Sequence, residues 1–453
     1  MTKVIQTAKS IGSPMKELEP ITLAPDYEID QETIIVDSKT TFQTHIGFGG
    51  AFTEAAAVTF KDTSDDNKKK IIEAYFNKEK GIGYNIGRTT IHGCDFSLEP
   101  YTYIEEGDAE LKTFDMSRDS EAIIPMIKEA ESEAGEKIGL LSSPWSPPAF
   151  MKDNKDINHG GTLLKEYYTP WARYMVKYLK NMIDQGFDIK MVSVQNETAA
   201  KQTWASCQYT PQEEAEFACD YLYEELKAEG LEEKVKIVIV DHNRDIIFRR
   251  VKQSMKHKDA DKKIWGAAAH WYCCEKSENL SMIHHHYPNM HIVFTEGCVE
   301  LVGYSGATSS NEAAGAWTHG ETYGRHIIKD LNNYVEAWID WNLLLNEEGG
   351  PNYVGNFCEA PIMVDRNKDE VIINTSYYYI GHFAKFIQPG AVRLLCENDV
   401  EWCLYAVAYR NPDGKIVIVA QNQSDDEKKI ALVVDDLGAN VVLPAHSITT
   451  YII

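Results

Sequence analysis

From about residue 45 to residue 388, short apolar runs alternate with longer amphipathic stretches. The apolar spacing predicts helices over 65–76, 120–134, 167–185, 211–229 and 323–335. Between them it predicts strands over 83–88, 138–142, 191–194, 235–240, 264–268 and 292–295. Strands separated by helical segments are the signature of parallel βα units. After about Pro389 the helical period stops. Residues 400–409, 416–422, 429–434 and 447–453 read as short strands, with a turn at Asn411-Pro412-Asp413-Gly414 between the first two. So few antiparallel strands need another to bury their inner face, and the run Thr33-Ile34-Ile35-Val36 is the remaining candidate. The expected organisation is α/β, a (β/α)8 TIM barrel over 45–388 with a small antiparallel β-sandwich domain at 389–453. Residues 1–44 would lend strands to the sandwich.

Several predicted strands end in polar or aromatic residues that a barrel would present at its C-terminal rim. Residues 191–194 lead through Gln195 and Asn196 to Glu197, and residues 292–295 lead to Glu296. The strand over 235–240 ends in Asp241 and His242, and that over 264–268 runs into His270, Trp271 and Tyr272. The two glutamates are 99 residues apart, which suits three βα units of about 33 residues. Two carboxyl groups facing one rim are what glycoside hydrolysis requires, an acid for the leaving oxygen and a carboxylate for the oxocarbenium-like carbon. A glutamate ending an apolar run is more often a solvated strand end, so the surroundings matter. Asn196 offers an amide suited to a sugar hydroxyl. Asp95, Arg88, His270, Tyr272, Trp145, Trp271, Trp338 and Trp341 also fall at predicted strand ends or in the loops after them. A single tryptophan there packs in a core by default, whereas several at one rim suggest stacking faces for a sugar.

Composition narrows the classes. The chain has 453 residues, 43% hydrophobic and 25% charged, enough to build a core and far from a disordered composition. Its net charge of −24 opposes binding to phosphate backbones and anionic lipid surfaces. Neither nucleic acid nor membrane is an expected partner. Residues 1–20 lack the apolar run of a signal peptide, and no stretch reaches membrane-spanning length, so a soluble cytoplasmic enzyme is expected. Nine cysteines without framework spacing, including Cys94, Cys219 and Cys403 in apolar or aromatic segments, read as buried free thiols. Cys273-Cys274 and His284-His285-His286 have no familiar ligand spacing, and neither a metal nor another cofactor is expected.

The motifs resemble glycoside hydrolase family 30, in its lysosomal acid β-glucosidase (glucocerebrosidase) branch. The resemblance runs in order through Gly47-Phe48-Gly49-Gly50-Ala51, Arg88, Cys94-Asp95-Phe96-Ser97, Ser143-Pro144-Trp145 and Trp171-Ala172-Arg173-Tyr174. It continues through Asn196-Glu197, His270-Trp271-Tyr272, Glu296-Gly297-Cys298, Trp338-Ile339-Asp340-Trp341-Asn342, Gly349-Gly350-Pro351-Asn352 and residues 381–387. It implies a bacterial-type intracellular member with a barrel and side sandwich, catalysing a retaining double displacement. Glu197 would be the acid/base after strand 4 and Glu296 the nucleophile after strand 7. By the same matching Asn196 would hold the sugar 2-hydroxyl. Asp95, Trp145, Trp341 and Asn356 would bind the other hydroxyls or the ring, while Arg88, His270 and Tyr272 would position and charge-tune the carboxylates. Glu296 would be ionised beside an arginine, and Glu197 protonated near the working pH.

Thr198 departs from the branch, which commonly has proline there, and Lys201-Gln202-Thr203-Trp204 follow. The aglycone is therefore open at that rim. The expected activity is an exo-acting β-glucosidase, glucosylceramidase-like, acting on a small soluble β-glycoside or oligosaccharide. β-Xylosidase, β-fucosidase and exo-β-1,6-glucosidase remain alternatives, and a non-catalytic sugar-binding protein is the rival from another class. Oligomeric state is not legible.

Overall fold

The computed structural model describes residues 1–12, 14–28, 32–301, 312–398 and 403–453. Eight strands close into a parallel barrel: β1 (Gly47–Phe52), β2 (Ile86–Ile91), β3 (Gly139–Pro144), β4 (Asp188–Ser193), β5 (Lys236–Asn243), β6 (Gly266–His270), β7 (His291–Glu296) and β8 (Ala337–Asn342). These strands are buried along nearly their whole length, as expected where side chains fill the barrel and helices cover it. β1 shows why the glycines gather there. A Cβ on Gly49 would lie 1.8 Å from the Ile86 carbonyl oxygen of the adjacent strand, so only glycine lets the two backbones pair at this position.

The helix expected over 65–76 forms over Asp65–Phe76, with Asp65 and Asp66 in its first turn, where carboxylates complement the helix dipole. Residues 211–228 begin with a capping box between Thr210 and Glu213 and with Pro211 in the first turn. This segment was expected to be one plain helix. Instead a π-helical stretch, Phe217–Leu222, interrupts α-helix between Pro211–Glu216 and Tyr223–Ala228. The helix expected over 120–134 is split at Ala122 into Ser117–Glu121 and Ile123–Ala134.

The chain divides into two compact units, one of residues 48–311 with 338–372, the other of residues 1–47 with 312–337 and 373–453. The second unit holds a nine-stranded sheet in the order Lys16–Ile21, Thr2–Ala8, Ser447–Ile452, Ile416–Asn422, Leu404–Arg410, Val392–Asn398, Glu32–Thr44, Lys428–Val434, Leu437–Leu443. Alternate residues of its strands, such as Ile34 and Val36, Ile430 and Leu432, and Ile418 and Ala420, form one apolar core, which makes the sheet a sandwich rather than a flat layer. The N-terminal run beginning at Glu32 pairs antiparallel with Val392–Asn398 and parallel with Lys428–Val434. Part of the strand expected over 400–409 lies outside the described residues. Its described portion starts at Leu404.

Candidate active site

Among the described residues of the barrel unit, a cavity of about 270 Å³ opens between Asp95, Trp145, Asn196, Glu197, Tyr272, Glu296, Trp341 and Asn356, eight of the ten expected site residues. The other two, Arg88 and His270, are fully buried and reach the carboxylates from below. Gln202, Trp204, His242, Asn243, Cys298 and Glu300 complete the lining.

Arg88, on β2, organises the floor. Its Nη1 donates to Glu296 Oε2 at 2.5 Å, its Nη2 to Asn196 Oδ1 and Asp241 Oδ2 at 2.8 Å each, and its Nε to Ser143 Oγ at 3.1 Å. Because Arg88 occupies the Asn196 carbonyl oxygen, that amide has its NH₂ left to donate into the cavity. The guanidinium also lies 4.8 Å from the Trp145 ring centre, and Trp145 stacks on Trp341 at 5.2 Å. Cation and aromatic wall thus support each other.

Glu296 ends β7, where the pairing with β6 slips in register between Phe294 and Glu296. The slip breaks strict alternation. Phe294 faces away and stacks on Trp338 at 4.5 Å, while Thr295 and Glu296 both turn inward to bond Asp241 and Arg88. Tyr272 donates to Glu296 Oε1 at 3.0 Å. Burial, reinforced by the charges of Cys298 and Glu296, raises the Tyr272 hydroxyl well above its ordinary range, so it remains a donor.

Glu197 lies in the turn after β4 with φ +54. Its amide donates to the Asp241 carbonyl at 2.7 Å. That carbonyl belongs to a bulge in β5, where pairing slips between Ile239 and His242 and both Val240 and Asp241 have positive φ (+73 and +43). A β-branched residue in the left-handed region is strained. Three bonds restrain the bulge: Val240 N–H to Glu214 Oε1, the Thr198 hydroxyl to Val240 O at 3.1 Å, and Glu197 N–H to Asp241 O.

Asp241 was not among the expected site residues, although its place at a strand end was visible. It is wholly buried and accepts from Arg88, Ser143 (3.0 Å), Thr295 (2.6 Å) and His270 Nε2 (3.0 Å). Burial works to raise its carboxyl, but the charges and hydrogen bonds of Arg88 and His270 hold it far below the ordinary range. His270 Nδ1 faces both glutamates, 3.5 Å from Glu197 Oε1 and 4.0 Å from Glu296 Oε1. Two oxygens that reach one nitrogen at these distances cannot be farther apart than their sum. That excludes the wide, roughly 9 Å arrangement of many inverting sites for this oxygen pair.

The charge balance differs from the expectation of a plainly protonated Glu197. Burial raises the Glu197 carboxyl, but His242 and then His270 outweigh it and hold it at about 2. Burial also raises Glu296 above its ordinary range, against the charges of His270 and Arg88. His242 itself is lowered by burial, so in the neutral range His270 is the imidazole left charged against Glu197. Asp95 is raised well above its ordinary range by burial and by the charges of Glu296 and Glu197, which favours a neutral carboxylic acid able to donate.

Two tryptophans expected at the rim are not in the cavity. Trp271 and Trp338 have no exposed surface and pack edge-on to each other at 5.7 Å. They share the apolar layer outside β6–β8 with Phe294, because alternation directs them away from the barrel axis. Thr198, expected to border the leaving group, is also fully buried, whereas Gln202 and Trp204, which follow it in the chain, line the cavity. Gln202 Nε2 lies 3.3 Å from Glu197 Oε2. Of the thiols expected to be buried, Cys94 and Cys219 are, whereas Cys403 is half-buried. Cys273 and Cys274 are exposed, and the histidine run ends the helix Glu278–His286.

The Glycosyl hydrolase family 30 TIM-barrel domain matches residues 45–387, and the family's beta sandwich domain matches residues 390–451. The chain belongs to glycoside hydrolase family 30. It is 33% identical to the lysosomal acid glucosylceramidase of Mus musculus over 91% of this chain and 81% of that protein. Among solved structures, SrfJ from Salmonella typhimurium is 33% identical and superposes with a TM-score of 0.93, covering 100% of this chain and 99% of that one. An endo-β1,6-glucanase is 25% identical with a TM-score of 0.87, covering 100% and 98%. Membership of family 30 makes the chain a glycoside hydrolase, and the barrel cavity holds the paired carboxylates that such chemistry uses.

Proposed function

We propose that this family 30 enzyme is a retaining, exo-acting β-glucosidase of the glucosylceramidase-like type that takes a small soluble β-glycoside, with Glu197 as acid/base and Glu296 as nucleophile. The observation that carries the reading is the pair of carboxylates drawn to one imidazole, His270, above an arginine that contacts only Glu296 of the two. Glu296 Oε would attack the anomeric carbon while Glu197 gives a proton to the departing oxygen. Water, deprotonated by Glu197, would then release the sugar with its β configuration restored. Asn196 would donate to the 2-hydroxyl, Asp95 and Asn356 would bind hydroxyls farther round the ring, and Trp145 and Trp341 would supply its apolar wall. A cavity of about 270 Å³ suits a single sugar ring, which supports exo action.

A second reading has a specific observation behind it: the endo-β1,6-glucanase relative shares the fold over the whole chain. Rates on nitrophenyl β-glucoside, xyloside and fucoside, set beside reducing ends released from β-1,6-glucan, separate the readings. The proposal expects β-glucoside to be fastest and glucose to be released from chain ends. Faster xyloside turnover, or release of internal oligosaccharides from glucan, would overturn it.

A further inference from the structure

The ring of His270 is completely buried, with Nε2 satisfied by Asp241 at 3.0 Å. Among the described residues its Nδ1 makes no hydrogen bond of normal length, yet it lies 3.5 Å from Glu197 Oε1. A buried ring nitrogen left this way is costly unless it carries something to share with the carboxylate it faces. We propose that the Asp241–His270 pair is a proton store for Glu197, supplying from Nδ1 the proton that Glu197 delivers to the leaving oxygen. The inference rests on the reading of Glu197 as acid/base.

The surroundings favour it from every side. Asp241 on β5, Glu296 on β7 and Glu197 after β4 present three carboxylates to the ring, with Arg88 on β2 neutralising part of the charge on Asp241 and Glu296. Tyr272 stands edge-on at 6.2 Å, and His242 is the next residue along β5. Burial opposes a charge on the ring, but Glu296, Asp241 and Glu197 outweigh it and push the imidazole up to about 9. Asp241 is itself fixed by three other donors, so it cannot swing away to take the proton.

In the first step the Nδ1–H proton passes to Glu197 Oε1, and Glu197 passes a proton to the glycosidic oxygen. The bond from C1 to that oxygen breaks as Glu296 bonds C1. The imidazolium charge and the Glu296 charge disappear together, so the buried cluster keeps its net charge. In the second step water loses a proton to Glu197 and bonds C1 as the ester bond to Glu296 breaks. The recovered proton returns to Nδ1 as Glu296 regains its charge. His270 acts through Glu197 and is a positioning and proton-storing residue.

The test compares His270→Gln and Asp241→Asn with the parent by pH profiles of kcat/KM on an alkyl β-glucoside, which needs an acid, and a dinitrophenyl β-glucoside, which does not. The store predicts an alkaline limb moved acidward by on the order of one to two pH units in both variants. It also predicts a loss of roughly 10²-fold on the alkyl substrate and a much smaller loss on the dinitrophenyl one. An alkaline limb that stays in place, or equal losses on the two substrates, would overturn it. Should the variants fail to fold, ¹⁵N NMR of the parent reads the ring directly: a doubly protonated His270 at pH 8 supports the store, and a neutral ring at pH 7 contradicts it. A parent that cleaves none of these glycosides sinks the functional proposal instead, while the NMR result still decides the state of the ring.

Discussion

At the scale of the residue, the two glutamates differ through their partners and not through exposure. Glu296 is fixed by Arg88 and Tyr272, whereas Glu197 faces two imidazoles and Gln202. Glu296→Gln should therefore lower kcat by roughly 10⁴-fold or more on every substrate, because no neighbour can replace an oxygen nucleophile held by Arg88. Glu197→Ala should leave the first step on an activated aryl glycoside nearly intact and recover turnover with azide, observed as a glycosyl azide product. Unchanged rates in either variant would remove the assigned roles. Both glutamates were legible in the sequence because each ends an apolar run, and the aromatic wall of Trp145 and Trp341 was legible through its motifs. The part played by Asp241 was not, since a short acid at a strand end looks the same whether it meets solvent or four buried donors.

At the scale of the element, two irregularities of regular strands build the site. The bulge in β5 holds Glu197 through the Asp241 carbonyl, and Thr198 restrains the same bulge from the side. Thr198→Val keeps the volume and removes the hydroxyl, so it should cost about 1–2 kcal/mol in urea unfolding. It should also lower kcat more than it changes KM; an unaltered midpoint and kcat would show that the bulge needs no such brace. The slip in β7 leaves no room beside Gly297, where a Cβ would lie 2.8 Å from the rings of Phe294 and Trp271. Rigid rings cannot yield cheaply, so Gly297→Ala should lose about 1–3 kcal/mol by thermal unfolding. Six of the eight barrel strands could be placed from apolar periodicity, and Asp65–Phe76 and Ile416–Asn422 match their expected bounds, but the strands Gly47–Phe52 and Ala337–Asn342 and the helices Glu54–Asp62, Arg244–Ser254 and Glu278–His286 were not read. Bulges could not be placed, because one inserted residue alters parity without altering composition. The strand Leu437–Leu443 went unread for a related reason: Leu437 and Val442 are exposed on this sheet-edge strand, so its pattern lacks a clean apolar face.

At the scale of the whole molecule, the barrel supplies the cavity and family membership supplies the reaction class, while charge bears on the substrate. No helix among the described residues is long and apolar enough to cross a membrane. A net charge of −24 repels anionic bilayers, so the protein should not co-sediment with phosphatidylserine vesicles at low salt, and their addition should not raise its activity on a soluble glucoside. Substantial co-sedimentation would reopen a lipid-linked substrate. A retaining reaction through Glu296 requires a covalent glycosyl intermediate on that residue, which a slow substrate can trap. After incubation with an activated 2-deoxy-2-fluoro-β-glucoside, peptide mass spectrometry should find one fluoroglucosyl group, carried on Glu296. A label on another residue would rule out Glu296 as the nucleophile, and an unlabelled enzyme that releases the α-anomer first would rule out retention.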